Sequence, residues 1–322
     1  MNLDLLIENL TNPALLFFLL GIIAVQLKSD LCIPESSSRF ISMYLLFSIG
    51  FKGGQELAHS ELNQGMLWVV LFGVVSALVV PVYSFFLLKK KLGVENAGAI
   101  AAAYGSISAV TFITCVSYLE MSEIDFGGYM IALMALMEAP AIIVGVLLLS
   151  FFRKGQNNNG VSIGALVKHS ITNGSVMLIL GSLVIGYLAS DKQAEGIAPF
   201  TTDIFKGFLA VFLLDMGISS GRKLSDFWKN GYFPLTFAIL VPLINGVVVA
   251  AISVAVSDSA GDRLLLSILV ASASYIAVPA SMKLAAPEAN PGLYIPMALA
   301  ITFPFNITLG MPLYLQVINY FS

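Results

Sequence analysis

Apolar runs long enough to cross a bilayer recur along the whole chain, and that pattern limits the fold more than any single motif. Runs bounded by charge or by Pro and Gly number ten, at roughly 13–27, 39–54, 65–88, 96–119, 126–152, 172–190, 203–221, 232–256, 262–284 and 292–318. Hydrocarbon offers no water to backbone N–H and C=O groups, so a spanning run must bond to itself as a helix. Charged residues make up 11% of the 322, against about 25% in soluble domains, and mean hydropathy is +0.90. The chain is therefore expected to be an all-α polytopic membrane protein, multi-pass in the inner membrane.

Several function classes fall away on the same inventory. The net charge is −3 and no basic patch suits a nucleic acid. Cys32 and Cys115 lie in different segments, and the two histidines, His59 and His169, offer no dense metal cluster. No His, Asp and Cys set has catalytic spacing, so an enzyme is not expected. A Walker motif is missing too, which removes transport driven by the chain's own ATP hydrolysis. The opening MNLDLLIENLTNP lacks a basic n-region, so the first apolar run reads as a retained span.

Charge placement orients the spans. Lys89-Lys90-Lys91, Arg153-Lys154 with Lys168, and Arg222-Lys223 with Lys229 alternate with acidic or mixed connections around Glu120, Asp191 and Asp258. The basic-inside bias then puts the 153–171 loop in the cytoplasm and both termini outside.

That loop divides the chain nearly evenly, and the halves resemble each other. "LLFSIGFKGG" (45–54) is similar to "FLLDMGISSG" (212–221), and "AAAYGSISAVTF" (101–112) stands where the second half has "VASASYIAVPAS" (270–281). The separations are 167 residues for Gly50 to Gly217, 164 for Pro140 to Pro304 and 160 for Gly21 to Gly181. The reading is a first repeat over 1–152, a linker over 153–171 and a second repeat over 172–322. Five spans per half force the second copy to enter from the other side, which makes the repeats inverted.

In inverted-repeat transporters the site lies where helices break near the midplane. Gly105, Ser106 and Ser108 fit a break in the fourth span; Ser272, Ala273, Ser274 and Tyr275, just before Pro279, fit one in the ninth. Small residues also serve close helix packing, but two patches at corresponding places favour a binding site. Glu138, beside Pro140, can hold Na+, carry a proton or meet a lysine. Asp215, the other ionisable group within a span, has the same three options, or else faces a polar vestibule or caps a broken end. Thr111, Thr114, Asn306 and Thr308 are neutral oxygen donors available to a cation.

Three stretches carry a family resemblance: "NPALLFFLLGIIAVQLKSDLCIPESSSRFISMYLLFSIGFKGG" (12–54), "AAAYGSISAVTF" and "PEANPGLYIPMALAITFPFNITLG" (287–310). They resemble the sodium-dependent bicarbonate transporter family. The resemblance implies ten spans in two inverted repeats, Na+ and bicarbonate symport by alternating access, and a homotrimer. It places bicarbonate at Gly105, Ser106, Ser108, Ala273, Ser274 and Tyr275, and Na+, the coupling ion, near Ser108, Thr111 and Glu138. The chain departs from the family pattern at the second tip, which lacks the Asp and the Gly-Pro. Glu138 stands where the family carries Asp. The central loop is short, which argues against binding of the family's small PII-like regulator. A transporter of another small anion such as a carboxylate, coupled to sodium or protons, and an anion channel are the alternatives.

Overall fold

The computed structural model describes residues 12–59, 64–153, 172, 174–227 and 231–321. Most of the 153–171 linker lies outside them. The described residues form an all-α bundle, and its elements follow the apolar runs. Helix α1 (Pro13–Gln26) starts where the Asn12 side chain accepts a hydrogen bond from the Ala14 N–H, with Pro at the first position. Helix α2 covers Glu35–His59 and α3 covers Gln64–Gly105. Gly93, at φ 79° and ψ 166°, breaks α3 into a limb over 64–92 and a limb over 94–105. That backbone is one which only glycine adopts without strain.

Helix α4 (Ala109–Met121) follows the second limb after a short break, and α5 spans Tyr129–Phe152. Then come α6 (Gly174–Leu188), the short α7 (Asp191–Glu195), α8 (Phe205–Phe227) and α9 (Tyr232–Ile252). Helices α10 (Ala260–Ala271) and α11 (Ala277–Ala285) are again two pieces with an extended break between them. The last run, α12 (Pro291–Tyr320), begins at an Asn290 cap and widens into π turns at Met297–Thr302 and Asn306–Gly310. Five helical runs are long and apolar enough to cross a membrane: Gln64–Met121, Tyr129–Phe152, Pro199–Leu224, Tyr232–Ala255 and Pro291–Tyr320.

The first, second, sixth and seventh apolar runs are short for a ~30 Å hydrocarbon core. The first and sixth stay short as helices, α1 with 14 residues and α6 with 15, whereas the helices that carry the second and seventh are longer. With 25 residues α2 is about 37 Å long, since it continues through the polar ends Glu35, Arg39, Glu56 and His59. Counting apolar residues measures the lipid-facing strip, while backbone hydrogen bonding carries the helix beyond it.

Packing sorts the helices into pairs. Helix α1 lies along α8, and α2 lies along α6. Both pairs approach to backbone contact. A Cβ at Gly217 would overlap the Phe18 carbonyl oxygen and lie 3.1 Å from the Gly21 Cα. In the other pair, a Cβ at Gly50 would sit 2.7 Å from the Ile179 carbonyl oxygen, and one at Gly186 would overlap that of Phe51. Small residues let helices approach this way in membranes, where contact replaces the hydrophobic driving force. Helix α3 packs on α5, and α9 packs on α10 and α12.

Ion pairs and caps mark the two ends of the bundle. At one end Arg153 Nε donates to Glu95 at 2.7 Å, and Lys89 and Lys91 stack over Phe152 and Phe233. At the other, Lys52 meets Glu120 at 2.6 Å, and Asp262 accepts from the Gly127 N–H at 2.7 Å and the Tyr129 hydroxyl at 2.6 Å. His59 and Asp191 lie 3.0 Å apart at that same end. Arg263, one residue further along, is fully buried, with Nε on the Ser253 hydroxyl and Nη2 on the Ala250 carbonyl. Nothing in the sequence marked it as more than a loop charge; its spacing to Ser253 and Ala250 is set by the α9–α10 turn.

Candidate functional site

The two breaks meet. Residues 106–108 separate the second limb of α3 from α4, and residues 272–276 separate α10 from α11. Across the junction the Ser274 N–H donates to the Ala103 carbonyl at 2.8 Å. In the opposite direction the Ser108 N–H donates to the Ser272 hydroxyl at 2.9 Å. A helix end leaves carbonyls without partners, and in a membrane each must be met by protein. The end of α10 meets this demand with side chains: Leu269 accepts from the Ser272 hydroxyl at 2.9 Å, Val270 from Asn245 at 3.4 Å, and Ala271 from Asn306 at 2.8 Å.

Serine hydroxyls meet N–H groups of both following half-helices, Ser108 as the N-cap of α4 and Ser274 from two residues before the Ile276 cap of α11. The Ser108 hydroxyl accepts from the Thr111 N–H at 3.2 Å, and the Ser274 hydroxyl accepts from the Val278 N–H at 3.4 Å. Each serine oxygen thus accepts one backbone N–H, and Ser108 also hydrogen-bonds the Tyr275 side chain. The first turns of α4 and α11 add the positive ends of two helix dipoles at the same place.

Beside this junction lies a cavity of about 410 Å3. From the tips it is lined by Ile107, Ser108, Ala109, Val110, Ser274, Tyr275 and Ile276, and from α5 by Glu138. The facing wall is α2, through Glu35, Ser38, Arg39, Ser42 and Met43, and Phe212 of α8 contributes as well. Gly174, at the start of α6, stands at the same end as Glu35 and Arg39. Sequence reading missed the α2 stripe. Its signal was present as Ser38 and Ser42 four residues apart in an apolar run, one helical face, next to a basic residue.

Each residue singled out from the sequence has a definite place. Ser108, Ser274, Tyr275 and Glu138 share the cavity wall. Gly105 lies behind the first tip, where a Cβ would run into the Pro81 ring and sit 3.1 Å from Ala141. Ala273 is buried in the apolar core beside α11. Ser106 is fully buried and reaches the Glu138 carbonyl at 3.5 Å. Thr111 is buried one turn into α4, and its hydroxyl oxygen has no hydrogen-bond partner among the described residues. An orphaned oxygen of that kind suits a cation ligand. Asp215 is 8% exposed and accepts a short hydrogen bond from Ser38, so it backs the α2 wall. The Tyr275 hydroxyl lies 3.7 Å from the Met216 sulfur of α8, bridging the second tip to the facing helices. Thr114 and Thr308 bond within their own helices, to Val110 and Pro304. Asn306 serves as the cap on α10 described above.

Ser272 is the most committed of these hydroxyls, since it donates to Leu269 and accepts from Ser108 at once. Ser272→Ala leaves the buried Ser108 N–H unpaired and takes one of two partners from the Leu269 carbonyl, which the residue 272 N–H still meets; the lost partner of Ser108 costs about 1–3 kcal/mol. The expected result is a clear drop in melting temperature in detergent. Ser106→Ala, which loses only a long contact, serves as the mild comparison. A Ser272→Ala protein as stable as the parent would remove the tip bridge from the account.

No curated protein matches the chain. A sequence profile of the Na+-dependent bicarbonate transporter superfamily matches residues 13–319, from the start of α1 to within one residue of the end of α12. With both tips, the cavity and the facing helices inside that match, the chain belongs to the Na+-dependent bicarbonate transporter superfamily, a family of membrane transporters and not of enzymes.

Proposed function

We propose that the chain couples the movement of bicarbonate to that of Na+ and holds both at the junction of the two tips. The observation that supports this best is the crossed pair of hydrogen bonds, Ser274 to Ala103 and Ser108 to Ser272, at the wall of one cavity. Bicarbonate accepts from the Ser108 and Ser274 hydroxyls and from N–H groups of the first turns of α4 and α11. Na+ takes the Glu138 carboxylate and the Thr111 oxygen. Each ion lowers the cost of burying the other, and this mutual neutralisation is the physical basis of coupling.

The architecture we infer is ten spans in two inverted repeats, over 1–152 and 172–322. Two swaps support it: α1 lies on α8 as α6 lies on α2, and both breaks fall at matching positions. Helices α1, α2, α6 and α8 then form the stationary wall, against which the tips and their neighbours move. With the basic end at the cytoplasm and both termini outside, the cavity opens inward, since α2 and α6 begin there.

Radiolabelled bicarbonate uptake into proteoliposomes tests the reading. An inward Na+ gradient is expected to drive accumulation above equilibrium, and equal uptake with and without it would overturn the coupling. A second reading rests on Arg39 at the cavity rim, whose paired N–H groups suit a larger carboxylate. Stronger inhibition of uptake by unlabelled acetate or pyruvate than by unlabelled bicarbonate would favour that second substrate class.

A further inference from the structure

A second cavity lies away from the tips, on the face that the bundle turns to the membrane. It is a groove of about 530 Å3 between α3 and α9, with Val270 of α10 in its floor. Val75, Val79 and Leu87 form one wall, and Val241, Ile244 and Val248 form the other. Val75, Val79, Leu87, Ile244 and Val248 are each about half exposed, so the groove is open along its length. Three polar side chains reach it, and each has a partner: the Ser76 hydroxyl donates to the Phe72 carbonyl at 2.8 Å, the Tyr83 hydroxyl donates to Asn245 at 2.6 Å, and Asn245 donates on to Val270. The floor therefore offers apolar contact and no free polar partner. An ion or a polar solute has nothing to hold there.

One end of the groove is charged. Leu87 is followed within one turn by Lys89, Lys90 and Lys91. The Lys89 ammonium lies 4.0 Å from the Phe152 ring centre and 4.3 Å from that of Phe86. Lys91 lies 4.2 Å from the ring of Phe233, in the first turn of α9, so basic groups stand where both walls end. Stacking of this kind holds an ammonium in place without cancelling its charge. Lys90 and Lys91 are exposed. Glu95, the acidic residue closest along the chain, is paired to Arg153. From Val75 to Leu87 the groove runs about 18 Å at 1.5 Å per residue, close to the ~15 Å depth of one leaflet.

We propose that this groove is a binding site for an anionic phospholipid. One acyl chain lies between α3 and α9, and the phosphate sits on the Lys89–Lys91 cluster. Apolar length and terminal positive charge together match a lipid of one leaflet, and basic pockets beside spanning helices recognise anionic headgroups. The inference depends on the membrane setting and not on which anion is transported.

Native mass spectrometry of the full-length protein, titrated with phosphatidylglycerol or phosphatidylcholine, tests it. Phosphatidylglycerol is expected to be retained at least tenfold more tightly. The triple variant Lys89→Gln, Lys90→Gln, Lys91→Gln should lose that preference, and Val79→Trp, which fills the groove, should lower retention of both lipids. Thermal melting of each variant shows that it is folded. Equal retention of the two lipids by the parent protein, or an unchanged preference in the triple variant, would overturn the proposal. A change of oligomeric state with Val79→Trp, with lipid retention unaltered, would instead assign the groove to contact between copies of the chain and also overturn it.

Discussion

Replacing Glu138 with Gln is expected to raise the Na+ concentration needed for half-maximal bicarbonate uptake by tenfold or more, with the protein still folded. Two acidic side chains line the cavity among the described residues, and Glu138 is the one beside the tips, while Glu35 stands at the exposed rim. A carboxylate about 4 Å from a monovalent cation contributes on the order of 4 kcal/mol at an effective dielectric near 20. Desolvation offsets part of this, and each 1.4 kcal/mol that survives is about a factor of ten in affinity. Glu138→Asp keeps the charge, the acidic type that the resemblance places here, and should retain most of the Na+ dependence. Uptake measured against Na+ concentration in proteoliposomes decides the matter. A Gln variant with the parent's Na+ dependence would remove Glu138 from the cation site.

Gly217→Leu is expected to have the largest effect on stability. The new side chain has no room, because its first atom would overlap the Phe18 carbonyl and press on Gly21. The pair α1 and α8 must separate, and overpacking of this kind costs on the order of 3 kcal/mol. Gly186→Leu should do the same to α2 and α6, where Phe51 stands in the way. Gly181→Leu is the control, since nothing lies within 4 Å of a Cβ at that position. Melting in detergent should rank Gly217→Leu and Gly186→Leu far below the parent and leave Gly181→Leu close to it. Equal stability of the three would mean that the close backbone approach does not hold the pairs together.

The sequence and the structure divide the explanation unevenly. Apolar runs, the glycines of "LLFSIGFKGG" and "FLLDMGISSG", and both breaks were legible, since they depend on local chemistry: hydropathy, absent side chains and interrupted helix bonding. The roles of individual hydroxyls were not. Ser272 and Ser274 read alike in "ASASYIA", yet the Ser272 hydroxyl bridges the tips while that of Ser274 accepts from the Val278 N–H and faces the cavity. Asn306 looked like a cation ligand and instead closes the end of α10. Gly105 was chosen for backbone freedom, and the structure adds a packing reason for it, since a Cβ there would meet Pro81 and Ala141.

The sequence by itself determined that this chain is a membrane bundle with two interrupted spans, because the bilayer allows few ways to satisfy a backbone and each leaves a long, periodic trace. Which residues face one another was decided only by the tertiary structure. Ser38, Arg39 and Ser42 reach the cavity because α2 lies opposite the tips, and Lys91 meets Phe233 because α3 and α9 end side by side. Contacts between residues that distant along the chain depend on how helices pair, and that is set by the close fit of glycine to backbone across α1–α8 and α2–α6, which no single helix records.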